Sequence, residues 1–179
     1  ELYIDSVSHI GVLIPNVSLF SAIYEDNFGL QVHWKGNKLK GFINGNGYWD
    51  ESGRFHFELT KSDLETPQQQ WKLLSKATLN EVDSMTFKVN NFSFINNTQK
   101  IDVKGMIGHQ ISDVLSIEVK DVSLNDVVPL KSVNLEGRLN ADVKIAAALS
   151  KPKIEGSLKS NIILNQSELG TIELKTRRL

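Results

Sequence analysis

Residues 133–149, VNLEGRLNADVKIAAAL, decide the fold, because a hydrophobic or small residue occupies every second position. Leu139 and Ile145 belong to the apolar series, and Arg138 belongs to the polar series between them. Alternation with a period of two is typical of a β-strand with one dry and one wet face. A single strand over this stretch would extend about 56 Å at ~3.3 Å per residue, far more than an ordinary strand. The pattern therefore predicts a long, one-sided strand that curves near Gly137.

The same alternation recurs along most of the chain. It is clear over residues 55–59, 101–107, 115–119 and 154–164, and a phase change at 90–91 predicts a β-bulge. Turn-forming residues separate these segments at intervals of roughly 10–12 residues, as in an antiparallel meander. The Asn- and Gly-rich stretch at 44–47 is one of the predicted turns. The fold class predicted is all-β, with a long antiparallel sheet folded around a groove.

One segment favours a helix. Ser18 is a suitable N-cap, apolar residues follow at Leu19 and Ile23, and Gly29 lies just beyond. These features predict a short helix over residues 18–27. Residues 62–75 begin like a capping box but also alternate, so both a helix and a strand stay open there.

Composition and charge exclude several classes of protein. The chain has 179 residues, 20 basic and 21 acidic side chains, a net charge of −1 and no cysteine. Nucleic acid is therefore not an expected partner, and disulfide scaffolds and cysteine-based zinc sites are ruled out. The length suits one domain over residues 1–179.

Candidate catalytic chemistry is sparse. The four histidines His9, His33, His56 and His109 have no metal-binding spacing. His33 and His56 fall on the polar sides of predicted strands, and we expect solvated histidine side chains. The acidic residues at 50–51, 63–65 and 113 occupy predicted turns or wet faces, with nothing to pair them. We therefore expect a protein that is not an enzyme and that needs neither a metal nor another cofactor.

A repeat links the two halves of the chain. Asn16–Leu19 and Asp121–Leu124 share the pattern polar-Val-Ser-Leu at an offset of 105 residues. The same offset aligns the apolar positions on both sides, so that residues 10–34 match residues 115–139 without a gap. Such a repeat predicts a sheet that grows by the addition of similar units.

Three of these segments together resemble a known family. Asp121–Leu124, the LEGRL segment at 135–139 and the KPKIEGSL segment at 151–158 are similar to the C-terminal region of TamB and the wider AsmA-like group. That region carries a strand with the pattern L-x-G-x-L, a break at Asn/Lys-Pro, and a strand with hydrophobic-x-G-x-L. Trp71 and the segment at 91–105 also fit, so the likeness extends over about residues 50–172.

The resemblance implies a fold, a place and a function. The family fold is a β-taco, a long sheet bent into a U with an apolar interior. Full-length members are anchored in the inner membrane, span the periplasm and meet an outer-membrane β-barrel of the Omp85 type. They are implicated in phospholipid transport toward the outer membrane and in the assembly of outer-membrane proteins. This chain would then be a fragment of a longer periplasmic protein.

The predicted site is the apolar stripe itself. A dry groove lowers the cost of holding an acyl chain at every position along its length, and strong polar contacts would stall sliding. The residues expected to line this lipid groove are Leu115, Ile117, Val119, Val133, Leu135, Leu139, Val143, Ile145, Ile154, Leu158, Ile162 and Leu164.

Two other functions stay open at this point. A periplasmic scaffold or chaperone could offer its sheet edge to an unfolded strand by β-augmentation. A β-sandwich adhesin or carbohydrate-binding module would need an exposed aromatic platform, for which Trp34, Trp49 and Trp71 are the candidates. A membrane β-barrel also alternates, but the aromatic girdles that it needs are missing from the sequence.

Overall fold

The structure is a computed structural model of the whole chain. It describes the backbone of residues 2–9, 12–36, 40–65, 69–124, 135–164 and 167–176, and side chains within 16–36, 40–65, 69–124 and 136–161. All thirteen elements identified in these ranges are β-strands, and their pairing is antiparallel. The predicted all-β fold with long antiparallel strands is therefore confirmed. The chain divides into two compact units, Glu1–Asn96 and Asn97–Leu179.

Unit 1 is a meander with one irregularity. Its strands are β1 (Leu2–His9), β2 (Val12–Tyr24), β3 (Asn27–Lys35), β4 (Lys40–Trp49), β5 (Phe55–Glu65), β6 (Gln70–Leu73), β7 (Ala77–Asp83) and β8 (Thr86–Asn96). The first five strands pair in chain order. β6 and β7 share the place between β5 and β8, so they form one strand position interrupted at residues 74–76.

Unit 2 is a regular meander. Its strands are β9 (Gln99–Ile107), β10 (Val114–Ser123), β11 (Leu135–Ala146), β12 (Lys153–Leu164) and β13 (Ser167–Thr176), and each pairs with the next. Within each unit, the main contacts of the described strands are with their hydrogen-bonded neighbours.

The predicted helix over 18–27 is wrong. Those residues lie in β2, in a turn at Glu25 and Asp26, and at the start of β3. β2 pairs with β1 on one side and with β3 on the other, so neighbouring strands satisfy its backbone groups. Tertiary pairing thus overrides a local capping signal, as it commonly does. The sequence leaves residues 62–75 open between a helix and a strand. They include the end of β5, all of β6, and the residues that follow each of these strands, of which residues 66–68 lie outside the described part.

Two further expectations need correction. The predicted turn at 44–47 is the middle of β4, where Asn44 pairs with Gln31 and Gly47 with Phe28. The long strand expected over 133–149 is shorter at its end, because β11 stops at Ala146 and Ala147 has a φ of 53°. Positive φ is unfavourable for most non-glycine residues and ends regular pairing here. The phase change expected at 90–91 coincides with a φ of 58° at Asn91, inside β8.

The repeated segments share one backbone feature. Asn16 and Asp121 stand 105 positions apart and both have positive φ, 50° and 54°, inside a strand. The Nδ2 of Asn16 donates to the carbonyl of Lys35 at 3.2 Å, and the backbone N–H of Asp121 donates to Oδ1 of Asn140 at 3.0 Å. Lys35 and Asn140 are also 105 positions apart. The segments after the two repeated strands differ. β2 ends at Tyr24 and turns directly into β3 at Asn27, whereas β10 ends at Ser123 and β11 begins only at Leu135.

Candidate functional site

The register of unit 2 brings the predicted groove residues onto one face of the sheet. Residues directly opposite each other in an antiparallel pair point to the same side. Leu115, Ile117 and Val119 of β10 face Ile145, Val143 and Ala141 of β11, and past a bulge Val122 faces Leu139. β12 continues the rows with Ile154 opposite Ile145, Gly156 opposite Val143 and Leu158 opposite Ala141. β9 adds Ile101 and Val103 opposite Val119 and Ile117.

Three further predicted residues lie at positions that continue this face. Leu135 pairs with Leu164, and Ile162 pairs with Gly137, in the same unbroken register of β11 and β12 as the rows above. Their side chains lie outside the described part, and Val133 lies outside it altogether. We call the described set of Ile101, Val103, Leu115, Ile117, Val119, Val122, Leu139, Ala141, Val143, Ile145, Ile154 and Leu158 the apolar face of unit 2.

This face is only partly covered. Ile154 is 58% exposed, and the other members are half-buried except Val122, which is 1% exposed. Leu124, just after β10, is buried, and its Cδ1 lies 3.0 Å from where a Cβ at Gly137 would be. Leu124 therefore covers one end of the face, while the rows between Leu139 and Ile154 stay accessible.

The opposite face of unit 2 is charged. Glu118 stands across from Asp102 and Asp142, and Lys144 stands across from Ser116 and Glu155. Lysines on the same strands offset the repulsion within this row of carboxylates. Lys100 forms an ion pair of 2.6 Å with Asp102, and Lys120 forms one of 2.9 Å with Glu118. The Lys120–Glu118 pair is exposed and the Lys100–Asp102 pair is half-buried, so each contributes little stability, but their charges give this face its polar character.

Unit 1 has a second apolar face, which the predicted site residues did not include. Phe28 of β3, Gly47 of β4 and Phe57 of β5 lie in one row, and Leu30, Gly45 and Leu59 lie in the next. Phe28 is within 5.4–6.3 Å of the rings of Trp49, Phe55 and Phe57, measured between ring centres. Alternation over Phe28–Trp34 is visible in the sequence, so this face could have been predicted.

The glycines of β4 make room for these aromatic rings. A Cβ at Gly47 would overlap the ring of Phe28, one at Gly45 would lie 2.7 Å from Cε2 of Phe57, and one at Gly41 would lie 2.6 Å from Cζ2 of Trp34. A ring that covers a strand glycine replaces the packing that the glycine lacks. The three glycines thus serve the packing of the aromatic rings within the sheet.

His56 belongs to a polar network, contrary to the expected solvated side chain. Its Nε2 lies 3.0 Å from Oδ2 of Asp50, and its Nδ1 lies 3.1 Å from Oδ1 of Asn80. The hydrogen bond to the Asp50 carboxylate is the main reason that the pKa of His56 is raised above 6.5, with smaller support from Asn80. The same bond is the main cause of the lowered pKa of Asp50. Asp50 is therefore paired, not isolated.

The three tryptophans do not form an exposed platform. Trp71 is buried at 7% exposure, and Trp34 is half-buried above Gly41. Trp49 is 43% exposed, but it packs with Phe28 and Phe55 on the apolar face of unit 1. Tyr24 and Tyr48 are exposed on the other side of unit 1.

The described residues contain no group of three or more histidine or acidic side chains arranged to hold a metal ion. No helix in the described part has the length and hydropathy needed to cross a bilayer. The sequence matches no family model, and neither a curated protein nor a solved structure matches the chain.

Proposed function

We propose that the chain is a lipid-conducting segment of a TamB-like, periplasm-spanning protein, and that the apolar face of unit 2 holds phospholipid acyl chains. In this proposal the sheet curves around the acyl chains as a β-taco groove, without carrying out a reaction. An Omp85-type β-barrel partner and assembly of outer-membrane proteins remain predictions from the resemblance alone.

The observation that carries the proposal is the partial exposure of a continuous apolar face. In a sandwich or barrel core, the Leu, Ile and Val side chains of the inner face are buried by a second layer. Here Ile117, Val143, Ile145 and Leu158 are only half-buried and Ile154 is mostly exposed. Partly exposed apolar rows on a sheet whose other face is charged are the kind of surface that a ligand or partner would cover, and this supports the proposal.

The energetics favour an acyl chain as occupant. Transfer of each methylene out of water gains about 0.8 kcal/mol, so a chain of ~14 methylenes gains roughly 11 kcal/mol when fully covered. The four strands β9–β12 extend about 14 Å across the sheet, at ~4.8 Å per strand spacing. The described rows are aliphatic or glycine except for Ser160, which lies opposite Leu139 and is only 3% exposed, so contact with an acyl chain would be mainly non-directional and would permit sliding.

The second apolar face supports the same function for unit 1. Phe28, Leu30, Phe57 and Leu59 give it the same one-sided character. Its aromatic rings fill more space than the aliphatic rows of unit 2. We therefore assign acyl-chain binding mainly to unit 2.

The test measures binding of a dansyl-labelled fatty acid to the whole chain by fluorescence. Ile154→Glu places a carboxylate on the apolar face at an exposed position, where folding is unaffected. Ile117→Glu does the same at a half-buried position. If each carboxylate removes contact with about three methylenes, affinity falls by roughly 2.4 kcal/mol, or ~50-fold.

The matched control is Ser116→Glu, one residue before Ile117 and on the charged face between Lys104 and Lys144. We expect it to bind the fatty acid as the unmodified chain does. Equal affinity in Ile154→Glu and Ser116→Glu would contradict the proposal. It would leave the scaffold that acts by β-augmentation as the better function, because that role uses a strand edge and needs no lipid.

A further inference from the structure

The polar face of unit 1 carries an open trough. Two adjoining cavities of about 620 and 420 Å³ share Ala22, Gly29 and Asn46. These three residues form a row of small and amide side chains across β2, β3 and β4. Gly29 has no side chain to fill the middle of the trough. The atom nearest to where a Cβ would lie is Oδ1 of Asn46, at 3.9 Å, so the middle of the trough is open.

Larger side chains flank this row on both sides. On one side, two residues further along the strands, a row across β2 to β5 consists of Tyr24, Asn27, Tyr48 and His56. Phe20, Gln31 and Asn44 form the row on the other side. At ~3.3 Å per residue, the two flanking rows lie about 13 Å apart, which gives the trough the length of a short oligosaccharide.

Aromatic surface is available at both ends of the trough. Tyr24 is 75% exposed, and Tyr48 and Phe20 are also exposed. Tyr48 stacks on His56 with ring centres 4.6 Å apart and an angle of 14°. Because the Asp50–His56–Asn80 hydrogen bonds hold the imidazole, this stack keeps the Tyr48 ring in a fixed orientation.

Hydrogen-bonding groups lie between the rings. Asn27, Gln31, Asn44 and Asn46 supply amide groups, each of which can both donate and accept. Oδ1 of Asn44 is buried and has no hydrogen-bond partner in the described part of the chain. An unpaired buried acceptor is costly, so a rotation of the Asn44 amide that brings Oδ1 to a ligand hydroxyl would relieve that cost.

The charges at the trough are already balanced within the protein. His56 pairs with Asp50, and Glu58 pairs with Lys76 at 2.8 Å. The described lining residues include no lysine or arginine, and the Nζ of Lys61, which stands across from Asn44, lies 5.3 Å from the centre of the Phe42 ring. An anion would have to draw Lys61 or Lys76 from these contacts, and an acyl chain would leave the amides unpaired.

We propose that this trough binds a neutral oligosaccharide. Planar amides match adjacent hydroxyl groups, and the exposed rings match the apolar C–H faces of sugar rings. The site is on the face of unit 1 opposite to Phe28 and Phe57, and it is independent of the lipid function proposed above.

The experiment titrates the whole ¹⁵N-labelled chain with cellohexaose, maltohexaose and chitohexaose and follows the backbone amide signals. We expect at least one of these probes to shift the amides of Gly29, Asn46 and Glu58. Tyr24→Ala should weaken that binding about tenfold, the factor that corresponds to loss of a favourable ring contact. Tyr24→Phe should bind nearly as well as the unmodified chain, because it keeps the ring.

The control is Ile23→Ala. Ile23 is as exposed as Tyr24, at 75%, but lies on the opposite face, so its loss should leave sugar binding unchanged. No shift at the trough with any of the three sugars, or equal weakening by Ile23→Ala, would overturn the proposal. Binding of dansyl-labelled fatty acid should be the same in Tyr24→Ala as in the unmodified chain; a loss there would mean that the trough binds lipid instead.

Discussion

The contact between Phe28 and Gly47 gives a sharp test of unit 1. Substitution Gly47→Ala places a methyl group where the ring of Phe28 lies and 2.9 Å from the carbonyl of His56. Overpacking of this kind costs about 1–3 kcal/mol, while the loss of glycine flexibility in the unfolded chain returns ~0.4–1 kcal/mol. The net expectation is a loss of about 1–2 kcal/mol. With a urea m-value of ~2 kcal/mol/M, the midpoint of unfolding falls by roughly 0.5–1 M.

Tryptophan fluorescence during urea unfolding measures this effect in the right part of the molecule. The chain has three tryptophans, at 34, 49 and 71, and all of them belong to unit 1. Trp49 lies 5.4 Å from Phe28 between ring centres, so its emission also reports directly on the packing of that ring.

Two further variants test whether the Phe28 ring is the cause of the cost at Gly47. Gly29→Ala adds the same methyl group where the nearest atom is 3.9 Å away, so it should be neutral or slightly stabilising. In a Phe28→Ala background, Gly47→Ala should cost about 1 kcal/mol less than in the unmodified chain. If Gly47→Ala and Gly29→Ala shift the midpoint equally, or if removal of the ring leaves the cost of Gly47→Ala unchanged, the ring does not lie over the glycine and the reasoning is wrong.

Two other predictions concern a turn and a titration. Met85 is 57% exposed with a φ of 59°, which costs a non-glycine residue roughly 1 kcal/mol, so Met85→Gly should raise the thermal midpoint by a few degrees; an unchanged or lower midpoint would contradict this, with Met85→Ala as the control. Because the folded-state pKa of His56 is raised, its stabilising effect is fully present below pH 6.5 and is lost as the pH rises through the folded-state pKa. An NMR titration of His56 should show the raised pKa, and Asp50→Asn should lower it; the same pKa in both proteins would rule out the Asp50 contact as its cause.

The sequence predicted some parts of this structure better than others, for physical reasons. A period of two determines which residues share a face, so Leu139 and Ile145 could be separated from Arg138 and Lys144 before any pairing was known. The strand through 44–47 could not be recognised, because Asn and Gly favour turns locally and the rings that stabilise it, Phe28 and Phe57, come from other strands. The helix expected at 18–27 failed for a similar reason, since pairing with β1 and β3 decides that segment.

The candidate sites show the same division. Alternation was sufficient to name the apolar rows of unit 2, but not to show how exposed they are, since exposure depends on whether another layer covers them. The trough was missed because it joins residues from three strands, such as Tyr24, Gln31 and Tyr48, that no short motif connects. Asp50 and His56 are six positions apart, but only the β4–β5 turn brings their side chains together.

The positive φ shared by Asn16 and Asp121 has a consequence for how such a chain can evolve. Each of the two residues makes a hydrogen bond to the next strand, to Lys35 in one copy and to Asn140 in the other. A duplicated gene segment that encodes two such neighbouring strands would therefore carry both partners of this hydrogen bond with it.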